Sequence, residues 1–183
     1  VRRRSEIPVV LFSYLNPILQ YGFDKFTKDA ANAGADGVLL TDLNVDEADP
    51  YLEQMERRGL DPVFLVAPTT PLERIRTLAQ SSKGFVYLVS RVGVTGEQQS
   101  ISERTIPLIE RARSVSKLPL AVGFGMSKRE HMEALAPHVD AVVVGSTVVK
   151  MIGDHGTEED LPFRLTTLCA ELKAGLTSTS LDA

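Results

Sequence analysis

Two glycine turns carry the clearest chemical signal in the sequence. Gly123-Phe124-Gly125-Met126-Ser127 follows one predicted strand, and Gly145-Ser146-Thr147 follows the next. Glycine allows a ligand to approach the backbone closely, and the unpaired N–H groups at a helix N-terminus attract an anion. Neither turn contains Lys or Arg, so backbone amides and the Ser146 hydroxyl would hold that anion. We therefore predict a phosphate site built on Gly125, Gly145 and Ser146.

A purely structural role is the alternative for each turn, because glycine is common wherever a strand passes tightly into a helix. For one turn alone, that alternative is favoured. Two such turns in consecutive strand–helix units match the phosphate site of βα barrels, and the pair therefore favours ligand binding. The loop that contains Thr95 and Gly96 is a weaker candidate for a third wall of the same site.

Histidine and cysteine give no second site. His131, His138 and His155 have no Cys, His or acidic partner at metal-ligand spacing, so no metal is predicted. We interpret all three as surface or helix residues. Cys169 lies on the apolar side of the last predicted helix and is interpreted as a packing residue.

One acid and two tyrosines lie in or directly after predicted strands, where parallel α/β folds bind ligands. Asp42 is the best general-base candidate by position, although a helix-capping or partner-contact role is favoured for it. Tyr14 and Tyr87 either line a pocket for a flat, apolar substrate or belong to the core. The sequence alone supports both interpretations of the tyrosines.

The elements that must position these residues alternate regularly along the chain. Six apolar strands are predicted, at residues 8–13, 37–42, 62–66, 84–90, 118–123 and 140–146. Val- and Leu-rich strands that are each followed by a helix are typical of a buried parallel sheet. Six units of about 25–30 residues are three quarters of an eight-fold barrel of about 250 residues. We therefore predict one α/β domain, 1–183, with the architecture of a (β/α)8 TIM barrel that is N-terminally truncated to about six βα units.

Local signals mark where the helices begin and end. Gly34 and Gly59 are placed to end the first two predicted helices. Capping boxes at 70–73 and 127–130 are placed to begin two others, the first with Pro71 at its first helical position. The closing helix repeats leucine at helical spacing, at Leu161, Leu165, Leu168 and Leu172.

The composition excludes several classes of protein. Hydrophobic residues make up 43% and charged residues 24% of the chain, with a net charge of −4, which argues against disorder. The absence of basic blocks argues against nucleic acid as a partner. No apolar stretch reaches the roughly 20 residues that a membrane helix needs. A single cysteine cannot form an internal disulfide, which favours a reducing compartment, the cytoplasm.

The sequence resembles the alpha subunit of tryptophan synthase. The resemblance rests on five stretches in the family's order: 14–22 (YLNPILQYG), 41–48 (TDLNVDEA), 90–96 (SRVGVTG), 123–127 (GFGMS) and 145–146 (GS). The stretch Ser-Arg-x-Gly-Val-Thr-Gly is specific to this family. The Gly-Phe-Gly and Gly-Ser turns are shared with other phosphate-binding barrels and discriminate little.

The resemblance implies a TIM barrel that cleaves indole-3-glycerol phosphate to indole and glyceraldehyde 3-phosphate in tryptophan biosynthesis. The phosphate ligands that it implies are Gly96, Gly125, Gly145 and Ser146; Thr95 and Arg91 fall in the family's mobile active-site loop. Tyr14 and Tyr87 match pocket positions near the indole and glycerol parts. The family's alpha subunit holds no cofactor, and its beta partner, which joins indole to serine, carries pyridoxal phosphate. The expected assembly with that subunit is α2β2.

Asn16 and the turn around Asn44 match surfaces that face the beta subunit, although many relatives carry proline in place of Asn44. The family's catalytic glutamate and its partner aspartate fall before Val1, so no catalytic residue is assigned in this chain, which by itself is expected to be inactive. Two other interpretations stay open. One is a different sugar-phosphate barrel, an isomerase or an epimerase; the other is a non-catalytic fragment that binds and activates a beta-type partner.

The intact mass of the natural protein tests the predicted truncation. Two further βα units would place that mass about 8–9 kDa above the 20.0 kDa of this sequence. Mass spectrometry of the native protein measures the difference. A native mass of 20.0 kDa would contradict the prediction of activity while leaving the predicted ancestry in place.

Overall fold

The computed structural model describes residues 1–89, 105–123, 125 and 127–177. The chain groups into two compact units. The first consists of Val1–Val66, Thr70–Tyr87 and Val115–Leu118, and the second of the described residues within Ala67–Thr69, Leu88–Ser114 and Pro119–Ala183. Within those described residues, no helix combines the length and apolar character needed to cross a membrane.

The first unit begins with strands and helices in alternation. In chain order they are β1 (Val10–Ser13), α1 (Leu15–Tyr21), α2 (Phe23–Asn32), β2 (Gly37–Leu40), a 3-10 turn (Val45–Glu47), α3 (Asp49–Arg58), β3 (Asp61–Val63), β4 (Leu65–Val66) and α4 (Leu72–Ser81). Strand β2 pairs in parallel with β1 on one side and with β3 on the other. The predicted parallel arrangement is therefore confirmed in this unit.

The core of the first unit lies between β2 and the helices that cover it. Every residue of β2 is buried, and the Tyr51 side chain of α3 is 2% exposed, with its hydroxyl donating to the Val38 carbonyl at 3.2 Å. The Phe23 ring of α2 lies 5.8 Å from that of Tyr51. Burial of aromatic and aliphatic side chains of this size is the main stabilising contribution to such a unit.

Besides the exact ends of the strands, three features of the first unit differ from those predicted. Helix α1 was not predicted, because Pro17 and Asn16 suggest a turn; Pro17 fits as the third helical residue, since the N–H groups of a first turn have no acceptor within the helix. The predicted strand 62–66 is divided between β3 and β4 at Phe64. Helix α4 begins one residue later than predicted, with Pro71 at its N-cap. The predicted ends at Gly34 and Gly59 are confirmed, and both glycines have positive φ.

The second half of the chain continues the alternation. Its elements are β5 (Val86–Val89), α5 (Thr105–Val115), β6 (Leu120–Gly123), α6 (Arg129–Leu135), β7 (Ala141–Val143), α7 (Ser146–His155) and α8 (Leu161–Thr177). Strands β6 and β7 pair in parallel, with Ala121 opposite Ala141, Val122 opposite Val142 and Gly123 opposite Val143. If β3 and β4 are taken as one, the described residues contain the six predicted strands.

Helices α6 and α8 are held close together by a glycine. A Cβ atom at Gly175 of α8 would lie 2.8 Å from the Arg129 carbonyl oxygen and 2.8 Å from the Met132 Cβ of α6. Such distances are shorter than van der Waals contact, so only glycine fits at this crossing. On the leucine face of α8, Leu172 is buried and the other predicted leucines are half-buried.

A polar clamp fixes the amino ends of β6 and β7. Asp140 donates its N–H to the Leu120 carbonyl at 3.1 Å, and its carboxylate accepts from the Leu120 N–H at 2.7 Å. Arg113 of α5 also donates to that carboxylate, at 2.6 Å. Partial burial raises the pKa of the Asp140 carboxyl, but the Leu120 amide and the Arg113 guanidinium outweigh it and hold the pKa below its usual value.

The clamp predicts a pH-dependent contribution to stability. Asp140→Asn should lower the free energy of unfolding at pH 7 by roughly 1 kcal/mol or less, because solvent screens a half-exposed ion pair. Since the folded-state pKa is depressed, the contribution is present above the unfolded value of about 4 and is lost as pH falls through the folded value. Urea titrations between pH 7 and 2.5 should show the two proteins converging in acid.

The matched control is Glu159→Gln, on an exposed turn of the same unit. It should leave the free energy of unfolding close to that of the unchanged chain at every pH. A difference between Asp140→Asn and the unchanged chain that persisted in acid would contradict the role assigned to the carboxylate.

Candidate functional site

The two glycine turns lie at the same edge of the β6–β7 pair. The residue numbers of paired residues in β6 and β7 differ by the same amount throughout, as those of Ala121 and Ala141 do. The numbers of Gly125 and Gly145 differ by that amount too. Each glycine therefore lies two residues beyond the last pair, Gly123 and Val143. Because parallel strands place their carboxyl ends together, the predicted pairing of these two turns is supported by the register.

Neither a positive φ nor a close steric approach requires glycine at position 145, the N-cap of α7. Its φ is −116°, a value that any residue adopts. A Cβ atom built there would meet nothing within 4 Å. Gly145 precedes α7, and its carbonyl accepts the Val149 N–H at 3.0 Å to close the first helical turn. Ser146, the first residue of α7, is exposed. The backbone is thus open to a ligand where a helix N-terminus presents its N–H groups.

Gly125 differs from Gly145 in its backbone. Its φ is 76°, in the left-handed region that favours glycine. A tight turn alone explains this glycine, so a purely structural role accounts for it. The chemistry of the pair therefore rests more on Gly145 than on Gly125.

The carboxylate of Asp42 is engaged by a backbone amide. It follows β2 and accepts the N–H of Leu15, the first residue of α1, at 2.6 Å. A carboxylate at this position satisfies an N–H that the helix leaves without an acceptor and also opposes the positive end of the helix dipole. The geometry thus supports the capping role that was favoured for Asp42 over the role of general base.

Two predicted aromatic residues differ sharply in exposure. Tyr14, the N-cap of α1, is 65% exposed, whereas Tyr87 of β5 is 5% exposed, and burial raises the pKa of its phenol. Sequence reasoning missed Phe12, which is 58% exposed and whose ring centroid lies 6.0 Å from that of Tyr87. The signal for it was the two-residue period of a strand, which places Val10, Phe12 and Tyr14 on one face.

The two asparagines predicted to face a partner are both exposed. Asn16 is the second residue of α1. Asn44 caps the 3-10 turn by accepting the Asp46 N–H at 3.2 Å, and Arg74 of α4 donates both to the Asn44 side chain and, at 2.6 Å, to the Asp46 carboxylate. Asn44 therefore shapes the surface of this turn, while the role of either residue in binding a partner stays a prediction.

The interpretation of one reactive side chain, Cys169, needs correction. His131 lies within α6 and is 4% exposed, so of its two predicted alternatives, surface or helix residue, the helix is confirmed. Cys169 is exposed on α8 and is not a core packing residue. His138 lies in an exposed turn, and His155 contacts Glu158 at 2.8 Å. Among the described residues, no three His, Cys, Asp or Glu side chains are placed to hold a metal ion.

The capping box predicted at 127–130 does not form. Helix α6 begins at Arg129, and its N-cap, Lys128, makes no side-chain cap hydrogen bond. The Ser127 hydroxyl is buried and has no hydrogen-bond partner in the described part of the chain. Arg91, Thr95 and Gly96, the remaining predicted site residues, lie outside the described residues.

Comparison with known proteins gives one consistent family. The family model described as "Tryptophan synthase alpha chain" matches residues 1–177. A tryptophan synthase alpha chain from Solibacter usitatus is 51% identical over 175 residues, which cover 96% of this chain and 66% of the relative. The chain thus spans about two thirds of the length of the curated relatives it matches.

Solved structures agree with the sequence comparison. The tryptophan synthase α2β2 complex from Pyrococcus furiosus aligns with a TM-score of 0.87 at 41% identity, covering 94% of this chain and 69% of that chain. Tryptophan synthase from M. tuberculosis aligns with a TM-score of 0.79 at 37% identity, covering 92% of this chain and 61% of that chain. The likeness confirms the predicted fold class, an α/β chain built from the βα units of a TIM barrel.

The contrast between the two glycines predicts effects of different size on stability. Gly125→Ala should lower the free energy of unfolding by about 1–2 kcal/mol, because alanine is strained at positive φ. Gly145→Ala should lower it by less than about 1 kcal/mol, because φ is negative there and only the preference for glycine over alanine at a helix N-cap is lost. Urea denaturation measures both. Destabilisation of Gly145→Ala by as much as Gly125→Ala would show that Gly145 serves the turn itself.

Proposed function

Because the chain belongs to the tryptophan synthase alpha chain family, we propose that its protein is a lyase of tryptophan biosynthesis that cleaves indole-3-glycerol phosphate to indole and glyceraldehyde 3-phosphate. The observation that carries the proposal is the family match over residues 1–177. The open backbone at Gly145, which lies as far beyond β7 as Gly125 lies beyond β6, supports it independently.

The phosphate of the substrate is assigned to the second unit. Gly125, Gly145 and Ser146 supply backbone N–H groups and one hydroxyl, an arrangement that suits an anion without any cationic side chain. Gly96 and Thr95 complete this end of the site by the family resemblance. By the same resemblance, Tyr14 and Tyr87 face the indole and glycerol parts of the substrate.

Cleavage is a retro-aldol reaction with defined proton transfers. A base removes the proton of a glycerol hydroxyl, and an acid protonates the indole ring carbon as the carbon–carbon bond breaks. A carboxylate stabilises the charge that develops at the indole nitrogen. None of these roles is assigned to a residue of this chain, and Asp42 is assigned to capping because its carboxylate accepts the Leu15 amide.

The proposed partner is a tryptophan synthase beta subunit in an α2β2 complex in the cytoplasm. Asn16 and Asn44 are the proposed contact residues, and both are exposed on the first unit. The indole product passes to that subunit, whose pyridoxal phosphate joins it to serine; the alpha chain itself holds no cofactor. The family match does not favour the isomerase or epimerase alternative.

Substrate competition tests the assigned ligand. We expect indole-3-glycerol phosphate to displace bound inorganic phosphate at a lower concentration than a simple sugar phosphate does, because only the former carries an indole ring for the aromatic residues. Isothermal titration calorimetry measures each affinity. Equal affinities for the two ligands would instead support the isomerase or epimerase alternative, and capture of a beta subunit without indole release would support the non-catalytic fragment.

The glycine assignment is tested with a matched pair in α7. Gly145→Ala should weaken phosphate binding on the order of tenfold, which corresponds to about 1.4 kcal/mol, because its methyl group occupies the space of the anion. Gly153→Ala, in the same helix with nothing within 4 Å of the added Cβ, should bind phosphate like the unchanged chain. Equal affinities of the two variants would remove Gly145 from the site.

A further inference from the structure

The turn that carries Gly125 is tied to helix α6 by a histidine. The Ser127 N–H donates to Nδ1 of His131 at 3.3 Å. His131 is the third residue of α6, and its side chain is 4% exposed. A side chain at this helical position that reaches back to an amide before the helix resembles one half of a capping box, with an imidazole in place of a carboxylate.

This contact fixes the protonation pattern of the ring. A nitrogen that accepts a hydrogen bond carries no proton, so the neutral ring is protonated at Nε2. That Nε2 is buried and has no hydrogen-bond partner in the described part of the chain. A buried polar atom without a partner is destabilising, and an apolar side chain of similar size would avoid that penalty. Burial of Nε2 therefore does not explain the histidine, whereas the Nδ1 contact with the turn does.

Helix α6, which carries His131, is held in place by close packing against α8. Helix α6 lies against α8 at Gly175, where an added Cβ would be 2.8 Å from the Arg129 carbonyl oxygen. On the other side of the turn, Gly123 is the last residue of β6, paired in register with Val143 of β7. The short segment between these two anchors contains Gly125, and His131 holds its carboxyl end at Ser127.

We propose that His131 is a positioning residue for phosphate binding, which it supports by holding the Ser127 amide and with it the turn around Gly125. The inference rests on the proposed function, in which this turn binds the substrate phosphate. His131 itself does not touch the ligand. A fixed turn presents its N–H groups without an ordering cost at the moment of binding, and loss of the tether weakens affinity for that reason.

Two variants of similar shape distinguish the loss of the hydrogen-bond acceptor at position 131 from a change in packing there. His131→Asn places an amide oxygen close to the position of Nδ1, and His131→Leu fills the same space without an acceptor. We expect His131→Leu to bind inorganic phosphate about five- to tenfold more weakly than the unchanged chain, and His131→Asn to remain within about twofold. His138→Leu, which removes an exposed histidine of the same unit, should leave the affinity unchanged.

Thermal unfolding distinguishes positioning from a structural role. His131→Leu should change Tm only slightly while its phosphate affinity falls, because the loss of the acceptor for the Ser127 N–H opposes the removal of a buried nitrogen that has no partner among the described residues. Equal affinity losses in the Asn and Leu variants would overturn the proposal, because packing alone would then explain them. Unchanged affinity in His131→Leu would overturn it as well.

A spectroscopic measurement keeps this inference distinct from the proposed function. Long-range 1H–15N spectra of the imidazoles should show His131 with its proton at Nε2 and an unprotonated Nδ1. That pattern in a chain that binds no phosphate would refute the proposed function and leave the tether standing. A ring protonated at Nδ1 would overturn the tether whether or not phosphate binds.

Discussion

The parallel register of β6 and β7 is the constraint on which the second unit depends. Asp140 sets it at the amino ends of the strands by exchanging two hydrogen bonds with Leu120. The same offset persists through the paired residues and beyond them, to Gly125 and Gly145. A slip by one residue would remove the alignment of the two turns. One polar clamp at the far end of the strands thereby aligns the backbone groups assigned to phosphate.

In the first unit, the polar side chains that follow the strands bind other parts of the protein and are not assigned to a ligand. The Asp42 carboxylate accepts the first amide of α1, and Arg74 joins Asn44 and Asp46 across the turn that follows β2. These polar groups connect one strand–helix unit to the next and are satisfied by the protein itself. In the second unit, by contrast, the group assigned to ligand binding is backbone that no side chain covers at Gly145.

Much of this fold could be predicted from the sequence because its signals are local. Apolar runs predicted the strands, and glycines with positive φ ended the helices at Gly34 and Gly59. What failed depended on contacts distant in sequence or on competition between nearby groups. At Ser127 the predicted capping box is replaced by a hydrogen bond from the Ser127 N–H to His131 inside the helix. The first N–H of α1 is accepted by Asp42, which lies far away in sequence. Cys169 is exposed although it lies on the apolar side of α8. For the site, residue types predicted the glycines, but only the register related them to each other.

The open conformation of Gly145 has a consequence for how this protein could change over time. Most residues near a ligand also support the scaffold, so altering them trades recognition against folding. Gly145 is largely outside that conflict, since its φ is negative and a Cβ atom there would meet nothing within 4 Å. Position 145 is accordingly a point of evolvability, where drift or laboratory selection can recruit a different anion while the barrel segment stays intact.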